Sequence, residues 1–166
     1  GNTEGSIRIE GCHFVNCQMG AIDINDANPK ELKITKCNFI LCTSNSKGSA
    51  ISFTKTSGII DQCKFYYNYV GNTVKGPEES VIFCDNPSDK HLTISGCFYE
   101  KVGDGKSIFL YFKKETIFVF NNNIIKAYHP TTQVFICPNQ PVDISSYSIS
   151  GNTLYPYDEK YIGNGI

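Results

Sequence analysis

The chain has 166 residues, 15 Lys plus Arg against 16 Asp plus Glu, a formal net charge of −1 and 40% hydrophobic content. That suffices for one buried core, while near-neutrality argues against nucleic acid or an anionic membrane surface as partner, and the lone arginine, Arg8, rules out an arginine cluster that clamps phosphate. The longest apolar run falls well short of a membrane span.

In chain order, the alternating Ile7 and Ile9 lead into Cys12-His13-Phe14-Val15-Asn16-Cys17, and Gly20-Ala21-Ile22-Asp23-Ile24 closes the unit. Leu32 and Ile34 lead into Cys37-Asn38-Phe39-Ile40-Leu41-Cys42, closed by Gly48-Ser49-Ala50-Ile51-Ser52-Phe53. A third unit runs from Gly58 through Cys63-Lys64-Phe65-Tyr66-Tyr67-Asn68 and, after a longer loop, ends at Ser80-Val81-Ile82-Phe83-Cys84. The fourth is Leu92 to Tyr99 followed by Ser107-Ile108-Phe109-Leu110-Tyr111. Two degenerate units follow, Ile117 to Ile124 with Val134-Phe135-Ile136-Cys137, and Tyr147 to Leu154 with Tyr161-Ile162.

Aligned, the units give a column Cys12, Cys37, Cys63, Cys97, Asn122, Asn152 and, two residues on, Phe14, Phe39, Phe65, Tyr99, Ile124, Leu154. A period of about 25 residues marks a solenoid. Apolar and polar residues alternate with period 2, and no stretch carries a helical period, so each unit makes three short strands that pair in parallel with the units above and below. The expected fold is all-β, a right-handed parallel β-helix of about six rungs with three short strands per rung. It forms a single domain over 1–166 and reads as a piece excised from a longer repeat protein.

Stacked positions explain the columns. Inward Asn amides bond to one another and to the turn backbone, inward Cys acts as a small buried apolar residue, and the aromatics fill the coil. Eight cysteines would also permit bridges in an oxidising compartment, and neighbours such as Cys12 and Cys37 would come within disulfide range, so stacked free thiols and disulfides both stand open. Metal binding by Cys12, His13 and Cys17 is disfavoured, since adjacent strand residues face opposite ways and no paired CxxC exists. No cofactor is implied.

Phe65-Tyr66-Tyr67-Asn68 matches a Phe-x-x-Asn element, and Met19-Gly20-Ala21-Ile22 and Gly48-Ser49-Ala50-Ile51 approach a Gly-Gly-Ala-Ile element. In these the chain resembles the polymorphic membrane protein (Pmp) repeats of bacterial autotransporter adhesins and large protozoan surface proteins. Cys17 and Cys42 stand where that family has Asn. The resemblance implies a cell-surface or secreted adhesive or spacer module with a protein or carbohydrate partner and no catalytic residues to transfer. No Asn-x-Ser/Thr acceptor accompanies it; Asn86-Pro87-Ser88 is blocked by its proline.

The rival is a carbohydrate-active enzyme or carbohydrate-binding module of the pectate-lyase-like class, since fold does not imply function. The outward residues before the Cys column read Glu10, Thr35, Asp61, Ser95, Phe120, Ser150, and inverting glycoside chemistry needs two carboxylates. Asp61 would have to be joined by Glu78, Glu79, Asp85 or Asp89. Asp23 to Asn28 lacks the Gly and final Glu of a calcium loop and reads as a turn.

Two surfaces are candidates for contact. In the third strands Ile22, Ile51, Ile82, Phe109 and Phe135 are expected inward, so Asp23, Ser52, Phe83, Leu110 and Ile136 face out and turn from polar to apolar along the rod. Such a face calls for cover by the chain's own Val70 to Glu79 segment or for lateral self-association. The second surface is the tyrosine cluster Tyr66, Tyr67 and Tyr69, suited to carbohydrate stacking or protein contact.

Overall fold

A computed structural model describes residues 5–25, 29–70, 80–86, 90–101, 108–112, 117–127, 134–136 and 147–156. Short strands wind into a parallel β-solenoid with three faces. The first face stacks Ile7–Glu10, Glu31–Thr35, Ser57–Asp61, His91–Ser95, Ile117–Asn121 and Tyr147–Ser150. The second stacks His13–Val15, Asn38–Ile40, Lys64–Tyr66, Phe98–Lys101, Ile124–Ala127 and Thr153–Pro156. The third stacks Ile22–Ile24, Ile51–Thr54, Ser80–Asp85, Ile108–Phe112 and Phe135–Ile136, and a short pair joins Thr43–Ser44 to Tyr69–Val70. Among the described residues there is no helix, hence none long and apolar enough to cross a membrane.

Period-2 patterning sets this register. On the first face Ile9, Ile34, Ile60, Ile94, Phe120 and Ile149 lie one above another, and the middle members are buried while Lys33, Ile59 and Thr93 between them are partly solvated. A one-residue slip would expose this whole set, so the hydrophobic effect holds the register. Gly58 stands in the parallel column between Leu32 and Leu92 because the Phe53 ring fills that space: a Cβ there would meet Phe53 Cζ at 2.6 Å.

The aromatic stack begins as expected. Phe14 and Phe39 lie 4.9 Å apart with planes 6° from parallel, and Phe39 and Phe65 5.0 Å apart at 5°. Phe109 of the third face then enters the stack, edge-on to Phe65 at 5.3 Å and face-on to Tyr99 at 4.7 Å. Tyr99 is fully buried and its hydroxyl has no hydrogen-bond partner among the described residues. A buried orphan hydroxyl is unfavourable. Tyr99→Phe is therefore expected to leave stability unchanged or raise it by about 1 kcal/mol; a lowered urea midpoint would refute this.

The three bends are closed by side chains. Cys37, Cys63 and Cys97 direct their thiols at the Ile9, Ile34 and Ile60 carbonyls of the preceding coil, at 3.8, 3.6 and 3.6 Å. In the next two coils Asn123 and Asn152 do the same with their amides, bonding to Ile94 O at 3.1 Å and Phe120 O at 2.6 Å. At the second bend Asn68 accepts from Cys42 N (2.8 Å) and donates to Phe39 O (2.9 Å); at the third Asn86 accepts from Thr56 N (2.9 Å) and donates to Thr56 O (2.6 Å). Each such residue satisfies backbone groups that the bend takes out of the ladder. The seven described cysteines carry free thiols.

Four expected positions are corrected by the register. Cys97 is followed in its column by Asn123, not Asn122, and Tyr99 by Ile125, not Ile124, because Phe98 pairs with Ile124. Asn122 instead has φ 56°, in line with Gly11, Lys36, Gln62, Gly96 and Gly151, all at positive φ. Three consecutive asparagines offer the same chemistry in any register, and the left-handed turn selects among them. Consequently Asn121, not Phe120, is the outward residue before the column, and Phe120 is buried. On the third face Leu110, not Phe109, lies between Ile82 and Phe135, so Leu110 belongs to the core and Tyr111 takes the outward place. The run Ile108-Phe109-Leu110-Tyr111-Phe112 is apolar at both parities and carries no alternation to mark its register.

Burial pushes the Cys42 thiol up from 9.0 to about 11, and raises Cys37 and, well above its usual range, Cys97; hydrogen bonding from Cys97 lowers Cys63. Below pH 9 the raised thiols keep their protons whether the chain is folded or not. Above it the unfolded chain ionises first, so the unfolded state binds fewer protons and stability falls with pH. Urea midpoints are expected to decline between pH 9 and about 11; a level or rising midpoint would contradict the burial of these thiols.

Candidate contact surface

Of the two surfaces expected from the sequence, the structure assembles one. Phe83 does face outward, but it is only 2% exposed: its ring stacks on Tyr111 at 5.3 Å and 7°, and Lys47 Nζ lies 4.7 Å above it. Leu110 is in the core, and Ile136 is placed only by its pairing with Tyr111. Phe83 therefore lies on a covered outward face, while Leu110 leaves the expected outward column for the core. Residues 71–79, the cover considered for this face, lie outside the described residues.

The second face carries the other. Its strands are buried at alternate positions, which leaves two outward columns: His13, Asn38, Lys64, Phe98, Ile124, Thr153, and Val15, Ile40, Tyr66, Glu100, Lys126, Tyr155. At their centre Tyr66 packs on Phe98, ring centroids 5.3 Å apart, and on Tyr67 at 6.2 Å; Lys126 Nζ stands 5.4 Å over Phe98. Tyr69, just past the bend, is half exposed, and Val15 and Leu41 add apolar surface on the neighbouring coils.

The bend beside this cluster is unusual. Asn16, Leu41 and Tyr67 occupy equivalent places in three successive coils, with φ of 56°, 54° and 57°. Asn is at ease in the left-handed region; Leu and Tyr are not, and the conformation costs an ordinary side chain roughly 1–2 kcal/mol. Packing does not compensate, since Leu41 is 47% and Tyr67 38% exposed. Lys36 and Gln62 take the same conformation at the first bend, so what sets Leu41 and Tyr67 apart is that they present apolar surface there. Leu41→Asn is expected to raise stability by about 1 kcal/mol; a lower urea midpoint would show instead that Leu41 is there for packing.

Leu41 and Phe98 are the members that sequence reasoning missed. The available signal was the residue preceding Cys17, Cys42 and Asn68, where Asn16 is ordinary and Leu41 and Tyr67 are not.

Other candidate residues are not brought together. Asp61 accepts from Ser95 Oγ at 2.8 Å and Gln62 Nε2 at 3.1 Å on the first face, while Asp85 lies on the third opposite Thr54. Glu78, Glu79 and Asp89 lie outside the described residues. Cys12 donates its thiol to Glu10 O at 3.5 Å, whereas His13 Nδ1 meets Asn38 Nδ2 at 3.1 Å, and among the described residues no group of three metal-ligating side chains converges. In the Asp23 turn, Asn25 donates to Asp23; residues 26–28 lie outside the described residues.

The fold places the chain in the class of parallel β-solenoids. Comparison with protein families, with curated proteins and with solved structures finds no match.

Proposed function

We propose that the chain is a non-catalytic module of a cell-surface or secreted repeat protein, an adhesive spacer that meets its partner through the surface built on Leu41, Tyr66, Tyr67 and Phe98. The observation that carries this reading is the exposure of Leu41 and Tyr67 at positive φ, beside Tyr66 and Phe98. Aromatic rings interleaved with Asn38, Lys64, Glu100 and Lys126 offer stacking faces and hydrogen-bonding groups together, which suits a carbohydrate or a polar protein surface. The resemblance of Phe65-Tyr66-Tyr67-Asn68 and Gly48-Ser49-Ala50-Ile51 to Pmp repeats supports the same reading. Both elements have a physical role here: Asn68 closes a bend, and Gly48, at φ 67°, admits no Cβ, which would meet Ile51 O at 2.4 Å.

Affinity electrophoresis through gels containing neutral or acidic polysaccharides, followed by sizing of the polymer, tests the reading. Retardation that Tyr67→Asn abolishes supports adhesion through this surface. Shortened polymer overturns it in favour of a carbohydrate-active enzyme, and retardation untouched by Tyr67→Asn places the contact elsewhere.

A further inference from the structure

Residues two apart on a strand point to the same side, so each coil of the second face sets two side chains next to each other on the flank of the rod. From Lys64–Tyr66 to Thr153–Pro156 one outward column reads Tyr66, Glu100, Lys126, Tyr155, and the column beside it brings Phe98 next to Ile124. An anion thus adjoins a cation at the centre, a tyrosine stands on either side, and an apolar pair runs alongside. Ile124 is 40% and Tyr155 52% exposed, and Tyr66, Phe98, Glu100 and Lys126 are half-buried among their neighbours.

Such a pattern is complementary to its own reverse. We propose that a second copy of this chain seats on this face with its rod antiparallel, related by a two-fold axis that runs along the strands midway between the Phe98 and Ile124 coils. That axis keeps each column opposite itself and reverses the order of the coils. Glu100 of each copy then meets Lys126 of the other, Phe98 meets Ile124, and Tyr66 meets Tyr155. Sliding one rod by a single coil sets Glu100 against Glu100 or Lys126 against Lys126. A parallel arrangement sets Phe98 against Glu100 and Ile124 against Lys126. Opposed like charges and charges pressed on apolar groups are both unfavourable, so one direction and one register are selected.

The inference rests on the reading of this face as a contact surface and gives it an occupant. The patch lies on the flank of the rod, so coils added before or after it would lengthen it and leave it in place. Four coils about 4.8 Å apart make a patch that falls short of a standard interface, about 800 Å² per partner, so the contact is weak. Being isologous, it closes at two copies.

The test is sedimentation equilibrium over a concentration series, under reducing conditions that remove intermolecular disulfides. For the wild type, weight-average mass should climb from the 18.5 kDa of the monomer toward twice that value and no further. Glu100→Lys sets a cation against Lys126 of the other copy, and Lys126→Glu sets an anion against Glu100, so each variant alone should stay monomeric. Their equimolar mixture, and the double variant Glu100→Lys/Lys126→Glu, should associate as the wild type does, because opposite charges face each other again. A wild type that stays monomeric or passes beyond twice the monomer mass, a single variant that associates like the wild type, or a double variant that stays monomeric overturns the proposal. Far-UV circular dichroism verifies folding; Ile124→Glu, which sets an anion against Phe98 and should also be monomeric, replaces a single variant that unfolds. A monomeric wild type still retarded by polysaccharide, with Tyr67→Asn abolishing the retardation, overturns this occupant and leaves the adhesive surface standing. Dimerisation without retardation supports the second copy and removes carbohydrate as the partner.

Discussion

Replacing Phe39 with Ala should cost about 3–5 kcal/mol, the range for a large aromatic removed from a core that cannot close around the gap. Phe39 is fully buried between the parallel rings of Phe14 and Phe65, at 4.9 and 5.0 Å, and strands of three neighbouring coils hold those rings in place. A hydrogen-bonded ladder of backbone cannot contract along the rod to fill a missing ring, so the cavity persists. Phe14→Ala, in the end coil, should cost distinctly less, because that side chain is only half buried. Against the 5–15 kcal/mol typical of a whole domain, the loss at Phe39 is large enough to shift a urea midpoint far to lower concentration. Equal costs at Phe14 and Phe39 would rule out the stack as the axis of stability.

Asn68→Ala should cost about 2–4 kcal/mol although it removes little apolar volume. The amide accepts from Cys42 N at 2.8 Å and donates to Phe39 O at 2.9 Å, and without it the buried Cys42 N–H loses its acceptor and Phe39 O loses a donor. An orphaned buried donor carries a desolvation penalty of about 1–3 kcal/mol. Asn68→Cys is the informative companion, because Cys42 fills the same place one coil earlier and bonds through its thiol to Phe14 O at 3.6 Å and Ile40 O at 3.7 Å. Cys should recover about half of the loss or more, since a thiol is a weak donor and acceptor. A Cys variant no more stable than the Ala variant would mean that Asn68 acts by its shape and not by its hydrogen bonds.

Legibility in the sequence followed the contrast between neighbouring residues. In the first three coils an inward Cys or Asn, an inward aromatic two residues on and flanking alternation all pointed to one register, and the structure has it. The contrast fails at Asn121-Asn122-Asn123-Ile124-Ile125, where neighbours are chemically alike, and again at Ile108 to Phe112, apolar on both parities. Those are the places where Asn122, Ile124, Phe120 and Leu110 were assigned to the wrong columns. Tyr66 and Tyr67 were legible as exposed aromatics; Leu41 and Phe98 were not, because one sits a coil before and the other a coil after them, and nothing local says which outward residues become neighbours.

By itself, then, the sequence determined the class of fold: a repeat of about 25 residues with period-2 strands can bury its apolar face only by stacking coil on coil. In the first three coils it also determined what lies inside, since a one-residue slip there would expose the apolar set, whereas at Ile108 to Phe112 and Asn121 to Ile125 it left two registers open. Tertiary structure alone decided the outside. Backbone φ turned Leu41 and Tyr67 out into solvent, stacking of successive coils set Phe98 beside Tyr66, and Tyr111 with Lys47 covered Phe83. The reason is physical: burial acts on each strand's own pattern and can be read along the chain, whereas a surface is made by residues from different coils whose proximity costs and gains nothing until the stack has formed.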